Sequence, residues 1–537
     1  MKIISFVKKY ARRCKKDISR FLLTSFALWA LSLLSPYVSG SYIDKLLTAN
    51  KPTVIWASVA MLICIWTMEI LFTYAKNMSY TRASSKVSFY ISKQLLEHIK
   101  KVPLKFFFEN DCAYLSHRIM ADSGTVTQFA ILSSVNIIFI MLSAVSSFVF
   151  ILLLCPLIAA IFCAVLPLYV LIYEKFKKPL YELNYQCRES ENSFFARVNR
   201  QLSKIKPLKQ NVWYDRLSLE LDASYDTFYE ISVRSARASH WFGNIDSIIR
   251  YLTNICIFIL SGYLILNKKM SIGQFMMVNS YSTLLISGLG TILNFGKYYR
   301  NALVSYDRIM ELYKVKQEQN GSIVIEHIES IQTKNLSFSY NNRSLIKNKD
   351  TTMKKGYIYA LIGANGSGKS TFIDLLTGLL GDYTGEILYN GVDIQNINLY
   401  QLRDKNIAIV EQEPQLLFEK LCDNLYGESS KVDEAQIWLQ QMGLKEFVES
   451  LPDKLEYNLA KNINNLSGGE KQRLMQVRAF IKNADVIVLD EPSSAMDKQS
   501  VQRLIEILLE LKRSKIIILV THDSHLTEIC DEKIYFG

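Results

Sequence analysis

Six long apolar segments before residue 296 constrain this chain more than any other feature. They cover residues 21–40, 53–75, 128–152, 156–173, 246–266 and 272–295. A helix needs about 20 mostly apolar residues to cross roughly 30 Å of hydrocarbon with all its backbone groups bonded internally. One such run could be a buried helix of a water-soluble protein, but six in succession without amphipathic alternation are typical of membrane spans. They predict an all-α membrane domain of six helices.

The chain changes character after this region, where polar and apolar segments alternate and glycine-containing turns appear. At 537 residues it is also too long for one compact core. The stretch 314–322, reading KVKQEQNGS, is polar and typical of a linker. We therefore expect a transmembrane domain over 1–320, with long cytoplasmic extensions, and a second domain over 328–537.

Basic residues explain the net charge of +12 and predict the orientation in the membrane. The segments 76–127 and 174–245 are rich in them, and so is the N-terminal arm, with Lys8, Lys9, Arg12, Arg13, Lys15, Lys16 and Arg20. Because such residues are retained on the cytoplasmic side, we expect both termini and the second domain to be cytoplasmic. Lys45, Lys51, Lys268 and Lys269 oppose this orientation but are outnumbered. Because the charges flank spans, we expect no nucleic-acid partner.

Neither secretion nor a metal site explains the remaining composition. The nine cysteines form no CxxC pair, so they predict neither a zinc site nor a secreted disulfide framework. A basic arm before an apolar run could be a cleaved signal peptide, but the five later spans argue against cleavage.

The segment 363–371, reading GANGSGKST, predicts a phosphate-binding loop, since it follows a strand-like run and precedes a helical pattern. Its backbone N–H groups and the helix N-terminus favour phosphate, Lys369 is suited to the terminal phosphates, and Ser370 can bind magnesium. The candidate ATP-binding residues are Gly363, Asn365, Gly366, Ser367, Gly368, Lys369, Ser370 and Thr371. Alone, such a loop identifies an α/β P-loop NTPase fold and leaves kinases and GTPases open.

Two further motifs follow. The apolar run 486–489 predicts a buried parallel strand that ends in Asp490, suited to magnesium, and Glu491, suited to act as general base. The segment 466–473, reading LSGGEKQR, predicts a second anion-binding helix N-terminus at Leu466, Ser467, Gly468, Gly469 and Glu470. One bound nucleotide does not need two such sites in one subunit, so we expect this motif to contact a nucleotide held by another subunit.

The order of these motifs resembles the ATP-binding-cassette (ABC) superfamily from about residue 331 onward. The resemblance implies that Tyr340 stacks on adenine, that Gln412 senses magnesium and the attacking water, that Asp497 communicates across the dimer, and that His522 contacts the terminal phosphate. It also implies ATP and Mg²⁺ as ligands, with Glu491, His522 and Gln412 catalytic and with Ser370, Gln412 and Asp490 as the magnesium site.

The membrane half is similar to the exporter type of this superfamily, a half-transporter that works as a dimer. The resemblance places coupling helices within 103–127 and 201–214 and implies alternating access, with ATP-dependent closure of two nucleotide-binding domains. A homodimer is the simplest assembly, since one chain holds every catalytic position, and a heterodimer is the alternative.

The substrate implied by the resemblance is a peptide, as in bacterial exporters of bacteriocins and lantibiotics, in the cell membrane. Multidrug or lipid export is the alternative; an ATP-gated channel, a sensor or an importer, and a soluble cassette ATPase, are less favoured. The arm before residue 21 is too short for a cysteine-peptidase domain, so leader cleavage would need another enzyme. Glu69 lies either in the substrate pathway or near the cytoplasmic interface, because a charge inside a span is costly and often functional.

Overall fold

The computed structural model describes residues 2–48, 52–110, 112–340, 343–426, 431–459 and 466–536. The chain forms two compact units. The first comprises Met1–Leu96 and Ser116–Leu312, and the second comprises Glu97–Leu115 and Tyr313–Gly537.

Helices form most of the described chain before residue 315. They are α1 (Lys2–Ala11), α2 (Lys15–Thr48), α3 (Pro52–Ile99), α4 (Leu104–Glu109), α5 (Cys112–Gln128), α6 (Ser134–Leu154), α7 (Pro156–Ser203), α8 (Ile205–Asn211), α9 (Tyr214–Leu266) and α10 (Ile272–Lys314). One π-helical turn joins α5 to α6. Short helices thus lie in both segments where coupling helices were predicted, α4 in 103–127 and α8 in 201–214.

Each of the six predicted spans falls within one of these helices or, for 128–152, within α5 to α6. Four helical stretches of the described chain are long and apolar enough to cross a membrane, namely Lys2–Leu47, Ile55–Ile99, Arg118–Leu154 and Tyr214–Leu266. In α7 the apolar stretch found among the described residues is the shorter Pro156–Val165. The crossing of the membrane by α7 and α10 therefore remains a prediction.

The helices of the first unit pack through apolar faces and leave other apolar faces outside. Ile151, Ile158 and Ile257 are fully buried in a cluster formed by α6, α7, α9 and α10. On the other side of α6, Ile138 and Leu153 are mostly exposed. An apolar exterior is what a helix presents to lipid, because hydrocarbon rather than water is then its solvent.

A sharp turn separates α6 from α7. Cys155 is extended, with φ −156° and ψ 96°, and Pro156 is the first residue of α7. Proline suits that position because its missing N–H would have no partner in the first helical turn.

The second unit is built on two sheets. Its strands are β1 (Ser330–Tyr340), β2 (Arg343–Lys354), β3 (Ile358–Gly363), β4 (Thr384–Tyr389), β5 (Val392–Asp393), β6 (Ile407–Val410), β7 (Val486–Asp490), β8 (Ile516–Val520) and β9 (Glu532–Phe536). An antiparallel sheet has the order β2-β1-β4-β5, and a parallel sheet has the order β6-β7-β8-β3-β9.

Helices of the second unit follow these strands in the chain. They are α11 (Lys369–Leu376), α12 (Leu399–Gln401), α13 (Leu421–Leu425), α14 (Val432–Gln441), α15 (Lys445–Ser450), α16 (Gly468–Ile481), α17 (Lys498–Leu511) and α18 (Ser524–Glu528).

The central parallel strands are continuously apolar because both faces of the sheet are covered. Along β7 and β8, Ile487 and Ile517 belong to one core and Val488 and Ile518 to the other. The two-residue repeat of a strand assigns neighbouring side chains to opposite faces. In the parallel sheet, β7, β8 and β3 are neighbours. Because they run in the same direction, their carboxyl ends meet at one edge, where ligands bind in sheets of this kind.

Candidate functional site

A cavity of about 530 Å³ opens at this edge of the parallel sheet. Its lining residues are Tyr340, Leu345, Asn365, Gly366, Gly368, Lys369, Ser370, Thr371, Gln412, Asp490, Glu491 and Val520. The sequence singled out all of these except Leu345 and Val520. The structure therefore brings together residues that are up to 151 positions apart, counted from Tyr340 to Glu491.

The loop between β3 and α11 supplies the floor of the cavity. Gly368 directly precedes α11 with φ +100°, a conformation that side chains with a Cβ rarely adopt. The Lys369 Nζ folds back over the loop and donates hydrogen bonds to the carbonyl oxygens of Gly363 (2.6 Å) and Ala364 (3.1 Å). The loop thus holds its cation at the mouth of a helix N-terminus, where an anion is doubly favoured.

Two residues of the predicted phosphate loop, Gly363 and Ser367, are not among the described lining of the cavity. A Cβ on Gly363 would lie 2.3 Å from the carbonyl oxygen of Phe536 and 2.6 Å from Ser367 Oγ. Gly363 therefore packs closely against β9 and against Ser367, and it leaves no room for a side chain.

Oxygen atoms of the kind that magnesium prefers converge beside the loop. Ser370 Oγ donates a hydrogen bond of 3.2 Å to Asp490 Oδ2, and Gln412 lines the same cavity. Burial raises the pKa of Asp490, while the Ser370 hydrogen bond and the charge of Lys369 oppose that rise. One hydroxyl, one carboxylate and one amide fit Mg²⁺, which is held by few protein ligands together with substrate phosphates.

Glu491 has a strained backbone that its neighbours hold in place. Its φ is +48°, in the left-handed region that disfavours residues with a side chain. Its N–H donates to Val520 O at 2.8 Å, and its carbonyl accepts a 2.7 Å hydrogen bond from Gln472 Nε2. The carboxylate Oε1 lies 3.7 Å from His522 Nε2. The predicted base and the predicted switch histidine are therefore neighbours, although His522 is about half exposed and is not part of the described cavity lining.

An aromatic side chain also lines the cavity. Tyr340, the last residue of β1, lines it together with Leu345. The ring of Phe108 in α4 lies edge-on to Tyr340, with centroids 6.5 Å apart. Such an aromatic ring can pack on the flat face of a base.

The second predicted anion site begins α16. Ser467 Oγ accepts from the backbone N–H of Glu470, and Glu470 Oε2 accepts a 2.8 Å hydrogen bond from the Ser467 N–H. This capping box alone accounts for a serine and a glutamate three residues apart. Gly469 is required sterically, because a Cβ there would lie 2.3 Å from Ala495 O. None of the described residues Leu466, Ser467, Gly468, Gly469 and Glu470 lines the cavity of the same chain.

Asp497 begins α17 as its cap. Its carboxylate accepts hydrogen bonds of 2.9 Å from both the N–H and the Oγ of Ser500, and these bonds lower the pKa of Asp497. Arg473 of α16 also bonds Ser500 Oγ, at 3.3 Å. Asp497 therefore has a structural role in its own chain, whatever it does across a dimer.

The structure adds two residues that the motifs did not single out. Gln472 of α16 is buried and holds three groups of the loop after β7: the Glu491 carbonyl, Ser494 Oγ and the Ala495 N–H. Asp374 follows the phosphate loop on α11; burial, with Glu411 and Asp490 nearby, raises its pKa to about 6. In the sequence, the only signal for either residue was its polar side chain among the apolar residues of a helix.

A cation at a helix N-terminus, an aromatic side chain and paired carboxylates suit binding and hydrolysis of a nucleoside triphosphate. The comparisons agree. Residues 20–289 match the family description "ABC transporter transmembrane region", and residues 346–494 match "ABC transporter".

Two relatives illustrate the range of functions around this chain. The "Lactococcin-G-processing and transport ATP-binding protein LagD" of Lactococcus lactis subsp. lactis is 24% identical over 95% of this chain and 73% of its own length. An "ATP-dependent lipid A-core flippase" of Haemophilus influenzae is 26% identical over 86% of this chain and 79% of its own length. A solved bacterial Atm1-family ABC exporter has a TM-score of 0.83 at 18% identity, covering 97% of this chain and 93% of its own.

The match to the transmembrane-region family, over residues 20–289, alone covers half of the chain. The chain therefore belongs to the ABC transporter family. It is a multi-pass membrane protein that joins a helical transmembrane domain to an ATP-hydrolysing nucleotide-binding domain, with the fold of an ABC exporter. The predicted fold class and the predicted ATP-driven transport are thereby confirmed.

Proposed function

We propose that this protein exports a peptide across the bacterial cell membrane as a dimer, with ATP bound between the phosphate loop of one chain and Ser467 of its partner chain. One observation carries this proposal. The cavity holds the loop, the carboxylates and the aromatic side chain, but α16 directs its capped N-terminus elsewhere. Two half-sites on one chain become two whole sites when two copies pair about a two-fold axis.

In this proposal Tyr340 packs on adenine, and the loop residues from Gly363 to Thr371 hold the phosphates with Lys369. Mg²⁺ would be held by Ser370 and Asp490, assisted by Gln412, and would neutralise phosphate charge when bound. The 3.2 Å contact between Ser370 and Asp490 supports their sharing one ligand.

Glu491 is the general base of the proposed reaction. It would accept a proton from the attacking water, while His522 and Gln412 orient the water and the terminal phosphate. The backbone hydrogen bonds from Gln472 and to Val520 support this role, because they fix a carboxylate that would otherwise relax from its strained conformation. Asp497 follows Ala495 by two residues, and the carbonyl oxygen of Ala495 packs on Gly469, so we infer that Asp497 would report closure to the partner chain.

Complementation between two inactive variants tests the shared site. Lys369→Ala removes the loop cation and Ser467→Arg blocks the capped N-terminus, so each homodimer has no intact site. A mixed dimer has one intact site, made of the loop from the Ser467→Arg chain and the α16 N-terminus from the Lys369→Ala chain. With half of the dimers mixed, ATPase activity should return to about a quarter of wild type.

Two readouts make the complementation decisive. The first is phosphate release from purified, co-expressed chains in lipid, and the second is the number of ATP molecules retained per dimer. Mixed samples without restored activity and without retained ATP would reject a site shared between chains.

The peptide part of the proposal is supported by the lactococcin-G relative, and the flippase relative makes a lipid substrate the alternative. The exposed basic residues on α1 and the start of α2 support cytoplasmic termini. Glu69 is a candidate in the substrate pathway: it is half-buried, one turn beyond the buried Ile65 on α3. Uptake of labelled peptides or fluorescent lipids by inside-out vesicles with ATP, against a Glu491→Gln control, separates the two substrates.

A further inference from the structure

A hydrogen-bonded path crosses the second unit outside the nucleotide cavity, and it passes through Glu318. This residue lies in 314–322, the polar segment that follows α10. Its N–H donates to the carbonyl oxygen of Lys101 at 2.8 Å, and its Oε1 accepts from Arg403 Nη2 at 2.8 Å. The two paired side chains are 13% and 19% exposed, so water screens their attraction weakly.

One end of the path is the C-terminal end of α3, a few residues before α4. His98 Nε2 lies 3.1 Å from Val315 O, and His98 Nδ1 lies 3.1 Å from Gln317 Nε2. A neutral imidazole with its proton on Nε2 satisfies both contacts, donating to the carbonyl and accepting from the amide. The segment is therefore bonded to His98 of α3 at Val315 and Gln317, directly before Glu318.

The other end of the path is the C-terminal end of α16. Lys482 directly follows this helix, and its Nζ donates to the carbonyl oxygens of Arg403 (2.5 Å) and Ile407 (2.6 Å). Arg403 is thus bonded through its side chain to Glu318 and through its backbone to Lys482.

Two other ion pairs of the unit are more exposed than Arg403–Glu318. Lys355–Glu329 and Lys420–Glu456 lie on the surface, with exposed fractions of 32% and 63% and of 52% and 64%. Exposed ion pairs of this kind contribute little to stability. Glu318 instead bonds the segment before α4 directly and reaches the end of α16 through Arg403.

We propose that Glu318 is a positioning residue that links the segment leading into α4 with the C-terminal end of α16. The inference rests on the proposed function, in which the N-terminus of α16 binds ATP held by the partner chain. Because α16 has 14 residues and is a rod about 20 Å long, displacement at Ser467 also displaces Lys482. The path through Arg403 and Glu318 then carries that displacement to Lys101 and α4.

Amide hydrogen exchange of the full chain in lipid tests the link. The parent is Glu491→Gln, which is expected to bind Mg-ATP without turning it over. In the parent, ATP should slow exchange in both α16 and 98–110. In Glu318→Gln on this background, the change in α16 should persist, and the change in 98–110 should fall by at least about half.

Three further variants keep the outcome unambiguous. Glu329→Gln breaks an exposed pair and should behave as the parent. Arg403→Gln should reproduce Glu318→Gln and replaces it if that variant does not fold. Glu318→Arg combined with Arg403→Glu should recover the response of 98–110, which a merely local loss of packing would not permit.

The outcomes distinguish failure of the link through Glu318 from failure of the proposed nucleotide contact at the N-terminus of α16. An unaltered response of 98–110 in Glu318→Gln, or faster exchange there before any ATP is added, overturns the link through Glu318. A parent in which 98–110 never responds overturns it as well. If ATP leaves α16 unchanged in the parent, the proposed contact of its N-terminus with nucleotide fails first.

Discussion

The two units of this chain distribute their polar groups differently. In the second unit, buried or half-buried polar residues such as Gln472, Asn406 and Lys482 bond two or more partners each. In the described part of the first unit, the buried hydroxyls of Ser123, Ser147 and Ser282 have no hydrogen-bond partner, whereas the second unit leaves single atoms such as Asn406 Oδ1 unpaired on side chains that are bonded elsewhere. A site that must always bind the same molecule is built from fixed hydrogen bonds. The first unit has a fixed cluster where Asp44 accepts hydrogen bonds from Ser271 Oγ (2.7 Å) and the Gly273 N–H (2.8 Å), at the end of α2 and the start of α10. We expect its substrate specificity to rest on contacts that are less local than those of the nucleotide site.

The strongest expected effect lies where the fixed bonds converge. Glu491→Gln should lower kcat for ATP hydrolysis by about two to four orders of magnitude, because a general base contributes that much. ATP affinity should change little, since the amide keeps the size of the side chain and its backbone anchors. Phosphate release and equilibrium ATP binding measure the two quantities. Glu532→Gln, on exposed β9, is the matched control; equal turnover in both variants would contradict the assignment.

A residue that touches no nucleotide should have the next largest effect. Gln472→Leu leaves the Glu491 carbonyl without its 2.7 Å hydrogen bond and frees the strained φ of +48°. Leaving a buried carbonyl unpaired costs about 1–3 kcal/mol. If that cost falls on the hydrolysing conformation, kcat should decrease about 5- to 150-fold.

Steady-state kinetics with Gln502→Leu as control measure this effect. Gln502 is on α17 and contacts Glu506 at 3.4 Å. A Gln472→Leu enzyme with wild-type kcat would mean that Glu491 holds its position without the hydrogen bond from Gln472. The nucleotide site would then not depend on this fixed hydrogen bond.

The partly buried carboxyl of Asp374 makes the stability of the second unit depend on pH. Its pKa is raised from 3.8 to about 6, so the folded state binds this proton more tightly than the unfolded chain. Its contribution to stability is complete below about pH 4 and is lost as the pH rises through about 6. Asp374→Asn should therefore gain apparent Tm relative to wild type between pH 5 and 7.5.

Thermal unfolding at one heating rate across that pH range provides the measurement, with the exposed Asp433→Asn as control. A difference between Asp374→Asn and wild type that is constant with pH would show that this carboxyl does not titrate there.

The sequence predicted the nucleotide cavity well because its parts are local. A glycine-rich loop before a helix, and a buried strand ending in Asp490, each have one structural solution, and parallel strands bring their ends together. The contacts through Glu318 could not be predicted, because its partners lie 217 positions earlier at Lys101 and 85 positions later at Arg403. Composition identified 314–322 as polar but carried no information about its bonding. Likewise, a serine at position 467 is expected both for a helix capping box and for a nucleotide contact. The sequence alone therefore does not show which of the two roles Ser467 has.

The smallest expected effect concerns Glu69, and it sharpens the contrast between the units. If the membrane unit recognises its substrate through many weak contacts, removing one charge should shift the substrate concentration that half-maximally stimulates ATPase by less than about tenfold, or about 1.4 kcal/mol. The KM for ATP should not change, because Glu69 lies in α3 and none of the described residues that line the ATP cavity belongs to α3. Glu69→Gln and Thr67→Ala, a nearby exposed residue of the same helix, would be compared in lipid over a panel of peptides and lipids. A shift of a hundredfold confined to Glu69→Gln would instead identify a specific charged contact, and substrates carrying a cation would then be the class to test first.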